Sequence, residues 1–294
     1  MRSGRTPFAR EGAVLPLIAI IGVLLIVWYL GAIFLNAPQA REQLAEGAGA
    51  RDLVAATWSM TRPVLPAPHQ IAVELEQSLF THPVTSPRSL VYHAWVTVSA
   101  ALAGLGFALA FGLLLAIGIV HVRLLDRSLM PWVIASQTVP VLAIAPMVVV
   151  VLGNLGITGL LPKAAIAGYL AFFPITVGMV KGLRAPDPLQ LDLLRTYDAR
   201  PAQVFSLLRF PASLGFLFPA LRIAVTLALV GAIVAELPTG AQAGLGARLL
   251  AGSYYGQTVQ IWAALFMAAA MSMLGLAAVS LIETLAARSR GGRL

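Results

Sequence analysis

The sequence predicts an all-α polytopic membrane protein with six transmembrane helices. Of its 294 residues, 59% are hydrophobic and only 11% are charged, whereas soluble domains average about 25% charged residues. The mean hydropathy is +0.86. The chain also contains six apolar runs of the length that crosses a bilayer as a helix, about 20 residues. Helices are favoured because lipid leaves no partner for unpaired backbone groups.

The same composition excludes several other classes of protein. High hydrophobicity and low charge exclude an intrinsically disordered chain. The absence of cysteine excludes a disulfide scaffold, a thiolate zinc site and an iron–sulfur cluster. The net charge of +8 does not indicate nucleic-acid binding, because the basic residues lie singly between apolar runs. They are typical of the cytoplasmic flanks of a membrane protein.

The predicted spans follow the six apolar runs in chain order. They are Val14–Leu35, Trp95–Val120, Pro131–Leu152, Leu160–Val180, Leu214–Val234 and Ile261–Leu281. Only Lys163 and Arg222 place a charge inside them. The first run follows three arginines, as the apolar part of a signal peptide does, but at 22 residues it exceeds the usual 7–15. We therefore predict a retained anchor, with a cleaved signal peptide as the alternative.

Charge placement predicts the orientation of the spans. Lysine and arginine are concentrated in the segments 1–13, 121–130, 181–213 and 282–294. Cytoplasmic loops carry such an excess, so both termini are predicted to be cytoplasmic. The predicted organisation is a tail with the first span (1–35), an external loop (36–90), a five-helix core (91–285) containing a cytoplasmic loop (181–213), and a tail (286–294).

The external loop is predicted to contain short surface helices. An Ala-, Glu- and Gln-rich stretch from Asn36 to Asp52 suggests one of them, and the mixed apolar pattern of Ile71–Phe80 suggests an interfacial one. Three prolines between them break regular structure: Pro63, Pro66 and Pro68. Aromatic residues are predicted to anchor this side at the headgroups, with ligand contact as the alternative: Trp28, Tyr29 and Trp58.

The loop 181–213 has the pattern of two short amphipathic helices. Asp187 followed by Pro188 is a typical helix start, Pro201 opens a second helix, and Pro211 is predicted to end it. The apolar faces contain Leu189, Leu193, Leu194 and Tyr197 in the first helix and Val204, Leu207 and Leu208 in the second. Capped helices with apolar faces indicate a docking element for another protein. The alternative is a linker lying on the membrane surface.

Motifs for common chemistry are missing from the chain. It has no G-x-x-x-x-G-K-[ST], no H-E-x-x-H and no G-x-S-x-G, so we predict no catalytic residue and no metal or cofactor site. The four histidines are predicted to be surface or interfacial residues. Arg222 and Glu236 lie fourteen positions apart, about 21 Å along a helix, which is too far for a direct pair.

In the loop 181–213 the sequence resembles a known family. Asp192-Leu193-Leu194 stands at a Glu-Ala-Ala position, Asp198 at a glycine position, and Leu208 to Pro211 at an Ile-x-Leu-Pro position. This spacing is similar to that in permease subunits of binding-protein-dependent ABC importers, in the nitrate, sulfonate, taurine and bicarbonate branch that also includes pyrimidine-precursor permeases. Aspartate is tolerated at the glycine position because it accepts a left-handed conformation.

Further segments carry the same resemblance along the chain. Leu65-Pro66-Ala67-Pro68 looks like the family's external proline motif, and Val139 to Pro146 looks like its Ile-Pro-x-x-Ala-x-x-Pro segment. Pro211 to Arg222 looks like its Pro-Ala segment before Gly-Leu-Arg. Glu236 followed by Gly244-Leu245-Gly246 looks like its external Glu and Gly-Leu-Gly loop. The order and spacing of these motifs carry the resemblance, since no single one is specific.

The resemblance implies a type I importer permease in a bacterial inner membrane. In that family two permease subunits form the pathway, two ATPase subunits dock on the cytoplasmic side, and an external binding protein delivers the solute. A homodimer is the predicted pair and a heterodimer the alternative. ATP and magnesium then belong to the ATPase, and the chain is not itself an enzyme. The ATPase-docking residues are Asp192, Leu193, Leu194, Tyr197, Asp198, Ala199 and Leu208.

The solute pathway is predicted from uncharged polar residues and a bent helix. Pro140 and Pro146 predict that the third span bends where it faces protein or water. The candidate lining residues are Ser136, Gln137, Thr138, Val141, Thr176 and Thr226. The alternative is that these side chains bond a preceding turn or a neighbouring helix.

Other classes of membrane protein remain as rivals. A secondary transporter is expected to show paired halves with midplane charges, and a membrane enzyme a polar cluster at the membrane face. An importer of a different permease architecture is the third alternative. The resemblance implies a small solute of the nitrate, sulfonate, taurine, bicarbonate or pyrimidine type, without selecting one.

Overall fold

Helices make up most of the part of the chain that the structure describes, as predicted. The computed structural model describes residues 11–45, 48–237 and 243–289, and no β-strand occurs among them. The helices are α1 Glu11–Gln43, α2 Ala50–Ser59, α3 Pro68–Glu76, α4 Leu90–His121, α5 Arg123–Ala135, α6 Val141–Asn154, α7 Leu160–Arg184, α8 Pro188–Thr196, α9 Pro201–Val204, α10 Phe210–Glu236, α11 Leu245–Tyr254 and α12 Thr258–Ser289. The fold class is therefore that of an all-α polytopic protein. Residues 1–10 and 290–294, whose basic side chains support the predicted cytoplasmic termini, lie outside the described residues.

Five of the six predicted spans are single long apolar helices. They are α1, α4, α7, α10 and α12, with α10 entered from α9 without a break. The predicted span Pro131–Leu152 is instead divided between α5 with a 3-10 turn and α6, which meet at 101°. Val139 is extended, with ψ of 124°, because a residue before proline is disfavoured in the helical region. The predicted bend therefore lies at Pro140, and Pro146 sits inside α6.

The chain forms two compact units. The first contains residues up to Pro83 together with Ala251–Ala264, and the second contains Val84–Leu250 with Leu265–Leu294. In the first unit α1 continues to Gln43, so the expected separate helix from Asn36 to Asp52 is wrong. Its first eight residues, Asn36–Gln43, belong to α1, because Ala, Gln, Arg and Glu favour helix, and its last three residues begin α2. The helix predicted around Ile71–Phe80 is present as α3 and a following π turn.

A buried asparagine fastens the proline-rich stretch of the first unit. The Nδ2 atom of Asn36 donates to the carbonyl of Leu65 at 2.8 Å. Its Oδ1 atom accepts the backbone N–H groups of Val64 at 2.8 Å and Leu65 at 3.1 Å. Prolines prevent this stretch from pairing its own backbone regularly. A single side chain therefore supplies partners that a helix would otherwise provide.

Very small residues bring α4, α7 and α10 together in the second unit. A Cβ atom on Gly104 of α4 would lie 2.6 Å from the Ala164 carbonyl oxygen and from the Ala167 Cβ. One on Gly231 of α10 would lie 2.8 Å from the Ala167 Cα. Small residues allow helix backbones in a membrane to approach closely. The other buried contacts are largely alanines: Ala100, Ala108, Ala116, Ala171, Ala224, Ala228 and Ala232.

Candidate functional site

The segment between α7 and α10 begins with the helix start that the sequence predicts. Pro188 is the first residue of α8, and the Asp187 side chain accepts the backbone N–H of Leu189 at 2.8 Å. Proline at this position costs no hydrogen bond, since the first N–H groups of a helix have no partner within it. The start of α8 is thus fixed by two neighbouring residues, and the prediction is confirmed.

A left-handed aspartate ends α8 and turns the chain into α9. Asp198 has a φ of 53°, in the region that asparagine, aspartate and glycine adopt most readily. The N–H of Ala199 bonds the carbonyl of Leu194 at 3.0 Å, and that of Asp198 bonds the carbonyl of Arg195 at 2.9 Å. These two bonds form a Schellman motif, the common glycine-type helix end. The predicted left-handed turn at Asp198 is confirmed.

The second short helix continues into α10 instead of ending at Pro211. Pro201 opens α9 as predicted, but residues 205–209 form a π turn and α10 follows directly, with Pro211 in its first turn. The N–H of Phe210 reaches the carbonyl of Phe205, one residue further back than in an α-helix. A widened turn accommodates the proline without a break in the helix. The prediction that Pro211 ends the helix is therefore wrong.

The coupling segment, residues 187–209, exposes a set of apolar side chains. Leu193 is 57% exposed and Tyr197 is 76% exposed, and Leu189 and Leu207 are also exposed. Among the other predicted docking residues, Asp192 and Asp198 are exposed, whereas Leu194, Ala199 and Leu208 are half-buried. The predicted docking residues therefore lie in one short stretch with apolar groups facing outward, and their docking role stays a prediction.

Both ends of the coupling segment are fastened to the helix core. The Arg209 Nη1 atom donates to the carbonyl of Leu183 at 2.9 Å. Close packing adds to this bond, because a Cβ atom on Gly182 of α7 would lie 2.8 Å from the Cα of Ser213 in α10. Arg184 also forms an ion pair with Asp126 of α5 at 2.9 Å. These contacts connect the ends of the coupling segment to α5, α7 and α10.

All four predicted pathway hydroxyls bond their own stretch of helix. Ser136 and Thr138 donate to carbonyls three residues back at 2.7 Å, and Thr226 donates to the carbonyl of Arg222 at 3.3 Å. Thr176 is fully buried and donates to the carbonyl of Phe172 at 2.9 Å. The alternative interpretation, in which these side chains bond a preceding turn, predicts such bonds for all four.

The two remaining pathway candidates lie on either side of the break at Pro140. Val141 is half-buried at the start of α6. The Nε2 atom of Gln137 is buried and has no hydrogen-bond partner in the described part of the chain. A buried unpaired amide is unfavourable, so this group is available to a molecule that reaches it. The pathway role of all six candidates remains a prediction.

Sequence reasoning missed a buried ion pair in the second unit. The Lys163 Nζ atom of α7 lies 3.2 Å from the Oε1 atom of Glu236 at the end of α10. Arg222 pairs with Glu283 of α12, so both charges considered above have partners, although not each other. The available signal was the resemblance of Glu236 and the Gly244–Gly246 segment to one external loop of the importer permeases. The partner Lys163 is 73 positions away from Glu236.

The prediction of four surface or interfacial histidines is wrong for His93. This side chain is only 4% exposed, with its Nδ1 atom accepting the N–H of Gly244 at 3.0 Å and its Nε2 atom 2.8 Å from the carbonyl of Pro87. Its two ring nitrogens join distant backbone groups, which explains its burial. His69 and His121 are exposed, and His82 is half-buried.

The chain matches one protein family over most of its length. Residues 108–291 match the model of the family described as "Binding-protein-dependent transport system inner membrane component". The match contains α5 to α12 and the last 14 residues of α4. It therefore includes the coupling segment, the break at Pro140 and the ion pair.

Individual proteins with similar sequences include transport permeases. A probable ABC transporter permease of Haemophilus influenzae is 30% identical, over 86% of this chain and 89% of that protein. The formylaminopyrimidine transport permease of Halalkalibacterium halodurans is 33% identical, over 76% of this chain and 84% of its own. A putative aliphatic sulfonates transport permease of Bacillus subtilis is 27% identical, over 75% and 76%.

Proposed function

Since the chain belongs to the family of binding-protein-dependent inner membrane transport components, we propose that it works with an ATPase, a second permease copy and an external binding protein. The chain is a permease subunit of an ABC importer. Its own contribution is the membrane part through which the solute passes. ATP hydrolysis, with magnesium, belongs to the ATPase subunit, and the chain itself is not an enzyme.

The coupling segment is the observation that carries the proposed ATPase contact. Its exposed apolar groups, Leu193 and Tyr197 among them, lie in a polar-flanked stretch that the predicted orientation places in the cytoplasm. Apolar side chains on a solvated helix favour contact with another protein. A membrane-surface linker needs no Schellman turn and no fastening to three helices. We infer that α8 and α9 fit a groove on the ATPase.

A second copy of the chain completes the pathway in this proposal. Five spans and one broken span form half of a translocation unit, and each copy offers one coupling segment to one ATPase. Two identical subunits related by a two-fold axis are the commonest solution for such an assembly. A related permease in place of the second copy is the alternative.

The solute is proposed to be a small organic or inorganic molecule delivered from outside. The relatives are named for formylaminopyrimidine, for riboflavin and for aliphatic sulfonates, which fits the nitrate, sulfonate, taurine, bicarbonate and pyrimidine range. The pathway candidates are uncharged, so selection is left to the binding protein. We place the chain in a bacterial cytoplasmic membrane with both termini in the cytoplasm.

Purification of the whole complex tests this assembly. We expect a tagged chain, solubilised in mild detergent, to carry two copies of itself and two copies of one ATPase subunit. Native mass measurement gives the stoichiometry directly. A single permease copy with an ATPase contradicts the pair, and a complete absence of ATPase from a transport-competent preparation favours the secondary transporter.

Cysteine labelling tests the predicted pathway near Pro140. The chain has no native cysteine, so Gln137→Cys and Val141→Cys introduce single reactive thiols without background. We expect both to react with small water-soluble thiol reagents, at rates that change when ATP is bound, because a broken helix faces protein or water. Rates can be compared with those of Val150→Cys, an exposed position further along α6. Inertness at both test positions contradicts a pathway role for this stretch.

A further inference from the structure

Glu236 is a carboxylate enclosed by protein at the end of α10. Its side chain is 0% exposed and that of its partner Lys163 is 13% exposed. The Thr97 hydroxyl of α4 donates to its Oε2 atom at 2.9 Å, and the backbone N–H of Gly246 donates to the same atom at 2.9 Å. Three helices and one turn thus meet at a single acidic group.

The turn that meets Glu236 is held at each of its four residues. We call residues 243–246 the docked turn. The carbonyl of Ala243 accepts from Lys163 at 3.0 Å, and the N–H of Leu245 donates to the Thr97 hydroxyl at 2.8 Å. The N–H of Gly244 bonds His93, and that of Gly246 bonds Glu236. Main-chain groups of the turn therefore replace water around the ion pair.

Both glycines of the docked turn are required by the closeness of Glu236. Gly244 has a φ of +126°, and a Cβ atom there would lie 2.1 Å from the Cδ of Glu236. A Cβ atom on Gly246 would lie 2.3 Å from the carbonyl oxygen of Ile233. No side chain fits at either position without moving the backbone. The turn is thus shaped to close over this carboxylate.

Stability alone does not explain a buried ion pair at this place. Removing two charges from water costs about as much as their attraction returns, and apolar replacements are often equally stable. An ion pair instead adds geometric specificity. Charge-assisted bonds to fixed N–H groups allow only one arrangement of the turn. The arrangement selected here joins the ends of α4, α7 and α10.

We propose that Glu236 is a positioning residue for import, acting through the docked turn. It sets the positions of three helix ends on the side where α10 ends, the external side in the predicted orientation. A docked turn is then a condition for the solute to pass from the binding protein into the pathway. The proposal rests on the import function given above and adds the residues that shape its external end.

Substitutions at Thr97 test the proposal with little change in volume. Thr97→Val removes the hydroxyl that links Glu236 to Leu245, and Thr97→Ser restores a hydroxyl. Ser99→Ala is the matched control in the same helix, since the Ser99 hydroxyl donates to the carbonyl of Val96 in α4. Each is combined with Ala243→Cys, whose labelling by a membrane-impermeant maleimide reports whether the turn is docked. The complete complex in vesicles is used throughout.

The expected result is a joint change in labelling and uptake. Thr97→Val is expected to raise the labelling rate and lower uptake, each by about tenfold, as the loss of bonds to a charged group allows. Thr97→Ser is expected to return both toward the wild type, and Ser99→Ala to leave both unchanged. A purely structural role would instead lower the yield of complex without changing uptake per assembled complex.

Two results would overturn the proposal. One is faster labelling with unchanged uptake per complex, which means that the position of the turn does not matter to import. The other is unchanged labelling in Thr97→Val and also in the neutral pair Lys163→Met with Glu236→Gln, which means that these contacts do not hold the turn. A failure of the proposed function is separate, because it removes uptake from the wild-type complex as well.

Discussion

Replacement of Leu193 by glutamate is expected to abolish coupling between the chain and its ATPase. Leu193 is an exposed apolar side chain in the middle of α8, so the substitution disturbs no core packing. In the proposed contact it would bury an unpaired charge, which costs several kcal/mol, and each 1.4 kcal/mol is about tenfold in affinity. Substrate-stimulated ATP hydrolysis and uptake should therefore both fall at least about tenfold. The rate of ATP hydrolysis by the reconstituted complex, with and without substrate, measures the loss of coupling.

Position within the coupling segment matters for this experiment. Charged substitutions of Leu194 and Leu208 are also expected to uncouple transport, but both side chains are half-buried, so part of their effect falls on folding. Gln190→Glu is the matched control, because it adds the same charge to α8 at an exposed polar side chain. The docking role is contradicted if the Leu193→Glu complex assembles in normal amount and keeps full substrate-stimulated ATP hydrolysis.

Replacement of Gly104 by valine is expected to prevent stable packing of the helix core. A side chain there meets the Ala164 carbonyl oxygen and Ala167 at 2.6 Å, and these belong to the backbone and the short side chains of α7. Neither can move away, so α4 and α7 have to separate. Overpacking of this kind costs about 1–3 kcal/mol, and the lost contacts along both helices add to it. We expect a large loss of folded protein in detergent.

Gly106 supplies the matched control for this substitution. It lies two residues further along the same helix, and a Cβ atom there has no neighbouring atom within 4 Å. Gly106→Val has the same change in composition and helix propensity, so the difference between the two variants isolates the packing effect. Fluorescence-detected size-exclusion after a temperature series measures the amount of folded protein. Equal thermal stability of the two variants contradicts the close helix contact.

Local signals allowed much of this fold to be predicted. Apolar runs gave five of the helices, and the start at Asp187 and the left-handed turn at Asp198 followed from side-chain chemistry within a few residues. One error arose where a helix absorbs an irregularity, because at Pro211 a π turn keeps the helix continuous. At Pro140 the predicted bend is present, but it divides the single predicted span into two helices that meet at 101°. Proline indicates a disturbance but not how the backbone resolves it.

The cluster of polar side chains around Glu236 could not be predicted from local sequence, for a different physical reason. The sequence places Lys163 inside the fourth predicted span without indicating a partner, and it predicts His93 at the surface because titratable side chains are usually exposed. Their burial depends on partners that are remote in sequence: Glu236 for Lys163 and Gly244 for His93. Only the packing of α4, α7 and α10 brings these groups together. The resemblance of Glu236 and the Gly-Leu-Gly segment to one loop was the single sequence feature that joined part of the cluster.

The continuity of α9, the π turn and α10 has a mechanical consequence. Residues Pro201–Glu236 form one unbroken helical rod of 36 residues, about 54 Å long at the α-helical rise. Its first nine residues belong to the coupling segment and its last residue is Glu236. We therefore expect a tilt imposed at one end to reach the other as leverage through this one continuous helix, without a relay of side-chain rearrangements. We expect the close contact with α7 at Gly231 to act as the pivot, and the π turn to be the place where this helix can bend.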